Sequence, residues 1–443
     1  MKQTLSRFDL TMIVISLVIG MGIFRTPASV AADAGNQLVF FAAWIFAGIV
    51  SLCGALTFAE IGSRYPCHGG FYNIMALTYN PATAFSINWA TLISNAASTA
   101  AVALAGTEYL FAVFIKDTNE IADIYKKLFC IGIILLLFLI NYVGLRMSAT
   151  MQNILMMMKI GMILLIIVSP FFISNTHAIF DSNITYKSFS LLAFSMCFKS
   201  VFFTCGGYQQ TVNFGADIPD GNKQIPKAII TGFLVILFLY ISINIAYVSS
   251  LGFQTLANTK TPAALIIQQM IGEKAGIAFS FLMFFCVMGY VNVCMLSNPR
   301  VCYAMAKEQL LPKVFGEMHE KTQVPRASLA LFSAITIVTL FLSTEFDKIV
   351  NIIMFFDSIS FVGLISSIFY LRHKNISLLS DKPYKIMAYP ILPIFFILSY
   401  LGVTVSVIIK DPKAPLIGLV VFGAGLAMYY FVKKSNHQKI NNP

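Results

Sequence analysis

Apolar runs of roughly 18 to 27 residues, separated by short polar stretches, recur along the whole chain, each near the length that crosses ~30 Å of hydrocarbon as a helix. About twelve can be marked, near residues 8–32, 37–62, 82–114, 127–145, 149–174, 188–212, 226–250, 273–303, 327–343, 348–371, 387–409 and 414–432. The pattern predicts an all-α polytopic membrane protein. It leaves no room for a soluble domain, so residues 1–433 read as a single transmembrane domain and residues 434–443 as a short cytoplasmic tail.

Two of these runs are interrupted. Gly20-Met21-Gly22 falls in the first and Cys205-Gly206-Gly207 in the sixth, at corresponding positions of the two halves. A continuous helix satisfies its own backbone in lipid; an interrupted one leaves N–H and C=O groups free, which is tolerated only beside a cavity or a ligand. In carriers built from inverted repeats such half-helices meet near the bilayer midplane. Their N-terminal dipole ends face an anionic group and their loose carbonyls a cationic one. An amino acid carries both charges, so the paired breaks predict a transporter.

Composition narrows the alternatives. With 58% apolar and 11% charged residues in 443, and a mean hydropathy of +0.79, a soluble globular protein is excluded. The net charge of +11 comes without a basic block or an aromatic-interleaved basic patch, so nucleic acid is not the expected partner. It follows loop bias instead. With the N-terminus inside, about 18 Lys and Arg fall in cytoplasmic segments against about 9 outside. Both termini are therefore expected in the cytoplasm and the chain in the plasma membrane (the inner membrane of a two-membrane cell). The first run exceeds a signal-peptide core and lacks a small-residue cleavage site, so it reads as retained.

Eight cysteines lie mostly inside the runs without a C-x-x-C pair, and all five histidines fall in expected loops, so no metal site, cofactor or disulfide framework is predicted. An enzyme would need His, Asp, Glu or Cys groups converging at one depth, and none do. Without a nucleotide-binding loop, ATP is not the direct driver.

At the first break, Ile19-Gly20-Met21-Gly22-Ile23-Phe24, followed by Pro27, resembles the Gly-x-Gly-Ile-Phe break of the amino acid-polyamine-organocation permeases, and within them the bacterial relatives of the L-type amino acid transporters. Phe58-Ala59-Glu60-Ile61-Gly62, then Pro66, Gly69-Gly70 and Tyr72, is similar to the family's second-span ending. Asn141-Tyr142-Val143-Gly144-Leu145-Arg146, running through Gln152 to Lys159, looks like its loop into the fifth span. Phe203-Thr204-Cys205-Gly206-Gly207-Tyr208, leading to Pro219 and Pro226, resembles the sixth-span break. Arg300, Tyr303-Ala304-Met305-Ala306, Leu311-Pro312 and Pro325 follow the loop after the eighth span. The resemblance covers Leu5 to about Arg372. It implies a five-plus-five inverted repeat of the leucine-transporter (LeuT-like) kind with broken helices 1 and 6. The repeats would be residues 8–174 and 188–371, with two added helices in 387–432. The separation of 186 between Gly20 and Gly206 fits that repeat length.

The same resemblance implies a binding site. The substrate carboxylate would sit on amides around Gly20, Met21 and Gly22, and its ammonium on carbonyls near Val18, Ile19 and Phe203; Thr204, Cys205 and Gly206 would line the second unwound stretch. Phe203 matches an aromatic that covers the substrate and acts as a gate. Cys205 stands where L-type relatives carry a bulky aromatic. Lys159 lies about ten residues into its span, where an unpaired ammonium in lipid costs at least ~2.5 kcal/mol. In sodium-independent family members a lysine there is thought to replace a sodium ion. Asp357 stands 198 residues after Lys159, close to the spacing between the breaks, so the two read as coupling counterparts. Lys199, one turn before Phe203, reads as snorkelling or as reaching the outer vestibule. Arg25 is a candidate outer-gate partner of Glu345 or Asp347, and Asn95 a further substrate contact.

The expected function is sodium-independent secondary transport of amino acids, neutral ones first, as an exchanger or a proton-linked importer. A non-transporting nutrient sensor on the same fold, and a carrier of another small amine or an anionic amino acid, are the alternatives. The loop 115–125 contains no cysteine, so no disulfide-linked subunit is expected.

Overall fold

The computed structural model describes residues 5–114, 123–173, 176–178, 191–259, 261–342, 346–378, 383–410 and 412–441. Helices dominate it, and its described residues contain no strand, only an isolated antiparallel bridge between His68 and Phe214. Eight described helical stretches are long and apolar enough to cross a membrane.

The first stretch is two helices, α1 (Arg7–Val18) and α2 (Gly22–Ala34). Ser6 opens α1 with a reciprocal cap: its hydroxyl accepts the Asp9 amide at 3.1 Å, and its amide donates to Asp9 Oδ2 at 2.8 Å. Gly35, left-handed at φ 68°, ends α2, and Asn36 caps α3 (Gln37–Arg64) through the Val39 amide. Then follow α4 (Gly70–Thr78), α5 (Pro81–Phe114), α6 (Asp123–Val143) and α7 (Leu145–Ile167).

The second half opens with α8 (Leu191–Cys205), a six-residue 3₁₀ stretch at Tyr208–Asn213, and α9 (Gly221–Leu251). Short α10 (Phe253–Asn258) and α11 (Pro262–Ile271) lead to α12 (Glu273–Lys307), α13 (Arg326–Leu342), α14 (Phe346–His373), α15 (Ile391–Lys410) and α16 (Lys413–Asn441).

Helices α4, α10 and α11 fall where the sequence pattern marks loops, because 6 to 10 residues are too short for a span. Past Gly207 the sixth run continues in 3₁₀ rather than α geometry.

Packing sorts the helices. α1 and α3 lie on α9, and α2 and α3 on α8; α5 lies on α12, α13 and α14, and α7 bridges the groups by touching α1, α9 and α12. α15 and α16 sit outside, with mostly exposed apolar faces. The breaks are therefore enclosed, with one end of the molecule marked by Ser6 and the other by Gly35.

Candidate functional site

α1 stops at Val18; Ile19 leaves helical geometry at ψ 87°, and the Gly20 amide turns back to the Val18 carbonyl at 2.8 Å before α2 begins. Among the described residues, the amides of Met21, Gly22 and Ile23 have no acceptor. They form the N-terminus of α2, where the helix dipole favours negative charge.

At the second break α8 ends at Cys205, and Gly207 takes φ 118°. A Cβ on Gly207 would overlap the Leu17 carbonyl, so glycine is what lets the two broken backbones touch. Gly20 differs: the nearest atom to its added Cβ would be Tyr290 Cδ2 at 3.6 Å, an ordinary contact.

Two side chains hold the breaks from behind, one of them spanning both. The Tyr240 hydroxyl of α9 lies 3.2 Å from the Val18 carbonyl and 3.0 Å from the Thr204 carbonyl, one proton shared by two acceptors. Lys159 of α7 is fully buried, and its Nζ donates to the Ile19 carbonyl at 2.5 Å. Further along α7, Gln152 bonds the Ser16 hydroxyl, and Asn153 donates to Asp9 Oδ1 at 2.6 Å, so three contacts grip α1 along its length. Asn292 of α12 supports Gln152 at 2.7 Å and accepts from Asn141 of α6 at 2.7 Å.

In front of the breaks a cavity of about 410 Å³ runs along α2 and α8 toward the Gly35 end. Val18, Gly20, Met21, Gly22, Phe203, Thr204 and Gly206 line it. Asn95 and Ser98 enter from α5, Tyr290 from α12, Asp357 from α14, and Arg25 and Lys199 from the half-helices. Ile19, Cys205 and Lys159 are not on its wall. The Ile19 side chain is buried and its carbonyl taken by Lys159; Cys205 is 3% exposed and turns its thiol to Ser51 of α3. Glu345 and the Asp347 side chain lie outside the described residues, so the gate pairing with Arg25 does too. Among the described residues no three metal-binding side chains converge.

The sequence reading passed over Tyr240, Tyr290, Gln209 and Gln210. Tyr240 and Tyr290 make contacts that appear only once distant helices meet, whereas Gln209, which lines the cavity with Gln210, accepts the Gly207 amide two residues away at 2.9 Å.

Beneath the cavity the Ser6 end is closed. Arg300 Nε donates to Asp217 Oδ2 at 2.7 Å, His68 Nδ1 lies 3.5 Å from the same oxygen, and the guanidinium stacks 4.4 Å over Phe214. The Leu5 amide donates to the Asp217 carbonyl at 3.1 Å. Burial works to raise the Asp217 carboxyl, and the Arg300 and His68 interactions outweigh it, holding the group below its ordinary value.

The sequence pattern of the amino acid permease family matches residues 5–428. The serine/threonine exchanger SteT of Bacillus subtilis (strain 168) is 27% identical, with 96% of each chain covered. The human cystine/glutamate transporter is 25% identical over 94% of this chain and 83% of its own. The mouse b(0,+)-type amino acid transporter 1 is 24% identical over 95% and 85%. With its length matched almost end to end, this integral membrane protein belongs to the amino acid permease family, whose members are transporters rather than enzymes.

Proposed function

We propose that the protein moves α-amino acids, neutral overall, across the plasma membrane by alternating access. The observation that carries this reading is the single cavity faced by both broken backbones. The free amides of Met21 and Gly22 suit a carboxylate, and the Phe203 carbonyl, met among the described residues only by the Gly206 amide at 3.4 Å, suits an ammonium. Oriented peptide dipoles answer a zwitterion without a buried formal charge. Gly20, whose added Cβ would meet only an ordinary contact, keeps the backbone open to a ligand.

Counting α1 with α2, and α8 with the 3₁₀ stretch, as one crossing each, and leaving out short α4, α10 and α11, gives twelve crossings. The first ten divide into the five-plus-five repeat, 8–174 and 188–371. Both termini then lie in the cytoplasm, which puts the Ser6 end inside and the Gly35 end outside. On that orientation the cavity faces outward, with Phe203 half-buried at its wall as the outer gate and the Asp217–Arg300 pair closing the inner side.

Lys159 places its ammonium on the Ile19 carbonyl at the first break, which supports transport independent of sodium. Exchange is favoured over proton-linked import by the name of the serine/threonine exchanger relative. A second reading, an anionic amino acid, rests on Lys199 and Arg25 in the cavity and on the cystine/glutamate relative.

The test is uptake of labelled amino acids into liposomes holding the purified protein, with and without internal amino acid, sodium and a proton gradient. Uptake that requires internal amino acid and ignores sodium is the expected result. Absence of flux for every α-amino acid would leave the non-transporting sensor.

A further inference from the structure

Asp357 lines the cavity from α14, half-buried, while Lys159 stands outside it behind the first break. Within the described residues, no hydrogen bond or ion pair reaches the Asp357 carboxylate. The cavity it faces is mixed, with Phe203, Val102 and Tyr290 on its wall beside Asn95, Ser98, Arg25 and Lys199. Phe355 and Phe356 are buried beside it in sequence, and Phe361, one turn on, comes within 4.0 Å of where a Gly206 Cβ would stand. Tyr290, whose ring faces Gly20, also feels the Asp357 charge. The carboxylate therefore shares one cavity with both breaks, on the wall formed by α14, α12 and α5.

This inference rests on the transport reading above and on the geometry of the cavity. The breaks occupy a substrate's α-carboxylate and α-ammonium with backbone atoms, so the side chain is directed away from them toward the remaining wall. That wall presents a carboxyl group that no donor of the protein meets among the described residues. An apolar side chain would desolvate the carboxylate without replacing its lost hydrogen bonds, whereas a donor would satisfy it. We propose that Asp357 receives the substrate's side chain and selects amino acids whose side chain ends in a hydrogen-bond donor, whether hydroxyl, carboxamide or ammonium, over apolar ones of the same size.

Threonine and valine differ by a hydroxyl for a methyl, so their ratio isolates the effect. Calorimetric titration of the purified full chain with each should give tighter threonine binding, by on the order of tenfold to a hundredfold. Asp357→Leu should bring that ratio near one. Asp357→Asn, close to isosteric and still an acceptor, should keep the threonine preference but lose about tenfold in binding of 2,4-diaminobutyrate relative to threonine. The Asn variant preserves the test where the Leu variant does not fold. Equal binding of threonine and valine by the wild type, or an unchanged ratio in Asp357→Leu, overturns the proposal. Glutamate binding better than threonine also overturns it, in favour of Lys199 and Arg25. If no α-amino acid binds, the transport reading itself falls and this inference falls with it; if valine and threonine bind alike, only the inference falls.

Discussion

The Lys159 ammonium meets the Ile19 carbonyl at 2.5 Å, at the point where α1 has run out of helix and its last carbonyls need partners. In a dry interior a hydrogen bond from a charged donor contributes about 1.5–3 kcal/mol. Lys159→Met should therefore leave the carbonyl orphaned and lower exchange at least about tenfold in proteoliposomes. Lys159→Gln, which keeps a neutral donor, should recover part of the rate.

Gly207 and Gly20 make contrasting predictions although both stand at a break. Gly207→Ala places a Cβ into the Leu17 carbonyl at a positive φ, and should destabilise the fold by about 3 kcal/mol in thermal unfolding. Gly20→Ala meets only Tyr290 at 3.6 Å, so its stability should change by under about 1 kcal/mol. Its cost should appear as weakened substrate binding.

Tyr240→Phe removes the hydroxyl that lies between the Val18 and Thr204 carbonyls while keeping the ring packed on Trp44. The expected loss of stability is about 1–2 kcal/mol. Exchange rate should fall more than binding does, because the bond joins the two half-helix ends rather than facing the cavity.

The Asp217 carboxyl is held below its ordinary value of 3.8, so its contribution to stability is complete above that pH and is lost as pH falls through the depressed value. Arg300→Gln removes the principal partner and should raise the carboxyl. The acid-unfolding midpoint should then move to higher pH, measured by tryptophan fluorescence in detergent across pH 2 to about 6.

Much of this arrangement was legible in the chain itself. Gly20 and Gly206 announced the breaks because glycine pairs inside apolar runs conflict with a helix that must satisfy its own backbone. The cavity does gather most of the residues flanking them. Cys205 escaped because it sits on the last turn of α8, where a rotation of one residue turns a side chain from cavity to α3. Nothing in the α9 sequence marks Tyr240 apart from its neighbours, since its role depends on two carbonyls 36 and 222 residues away. α11 could be read only as a loop, because its 10 residues lie below any spanning length.

The six residues of Tyr208–Asn213 are wound as a 3₁₀ helix, which rises about 2.0 Å per residue where an α-helix rises about 1.5 Å. The stretch is thus about 3 Å longer than the same six residues would be as an α-helix. It links Gly207, pressed on α1, to Asp217, pinned by Arg300. Rewinding it to α geometry would draw the pinned loop toward Gly207 by that amount, turning a change of helical pitch into a pull on the Asp217–Arg300 latch.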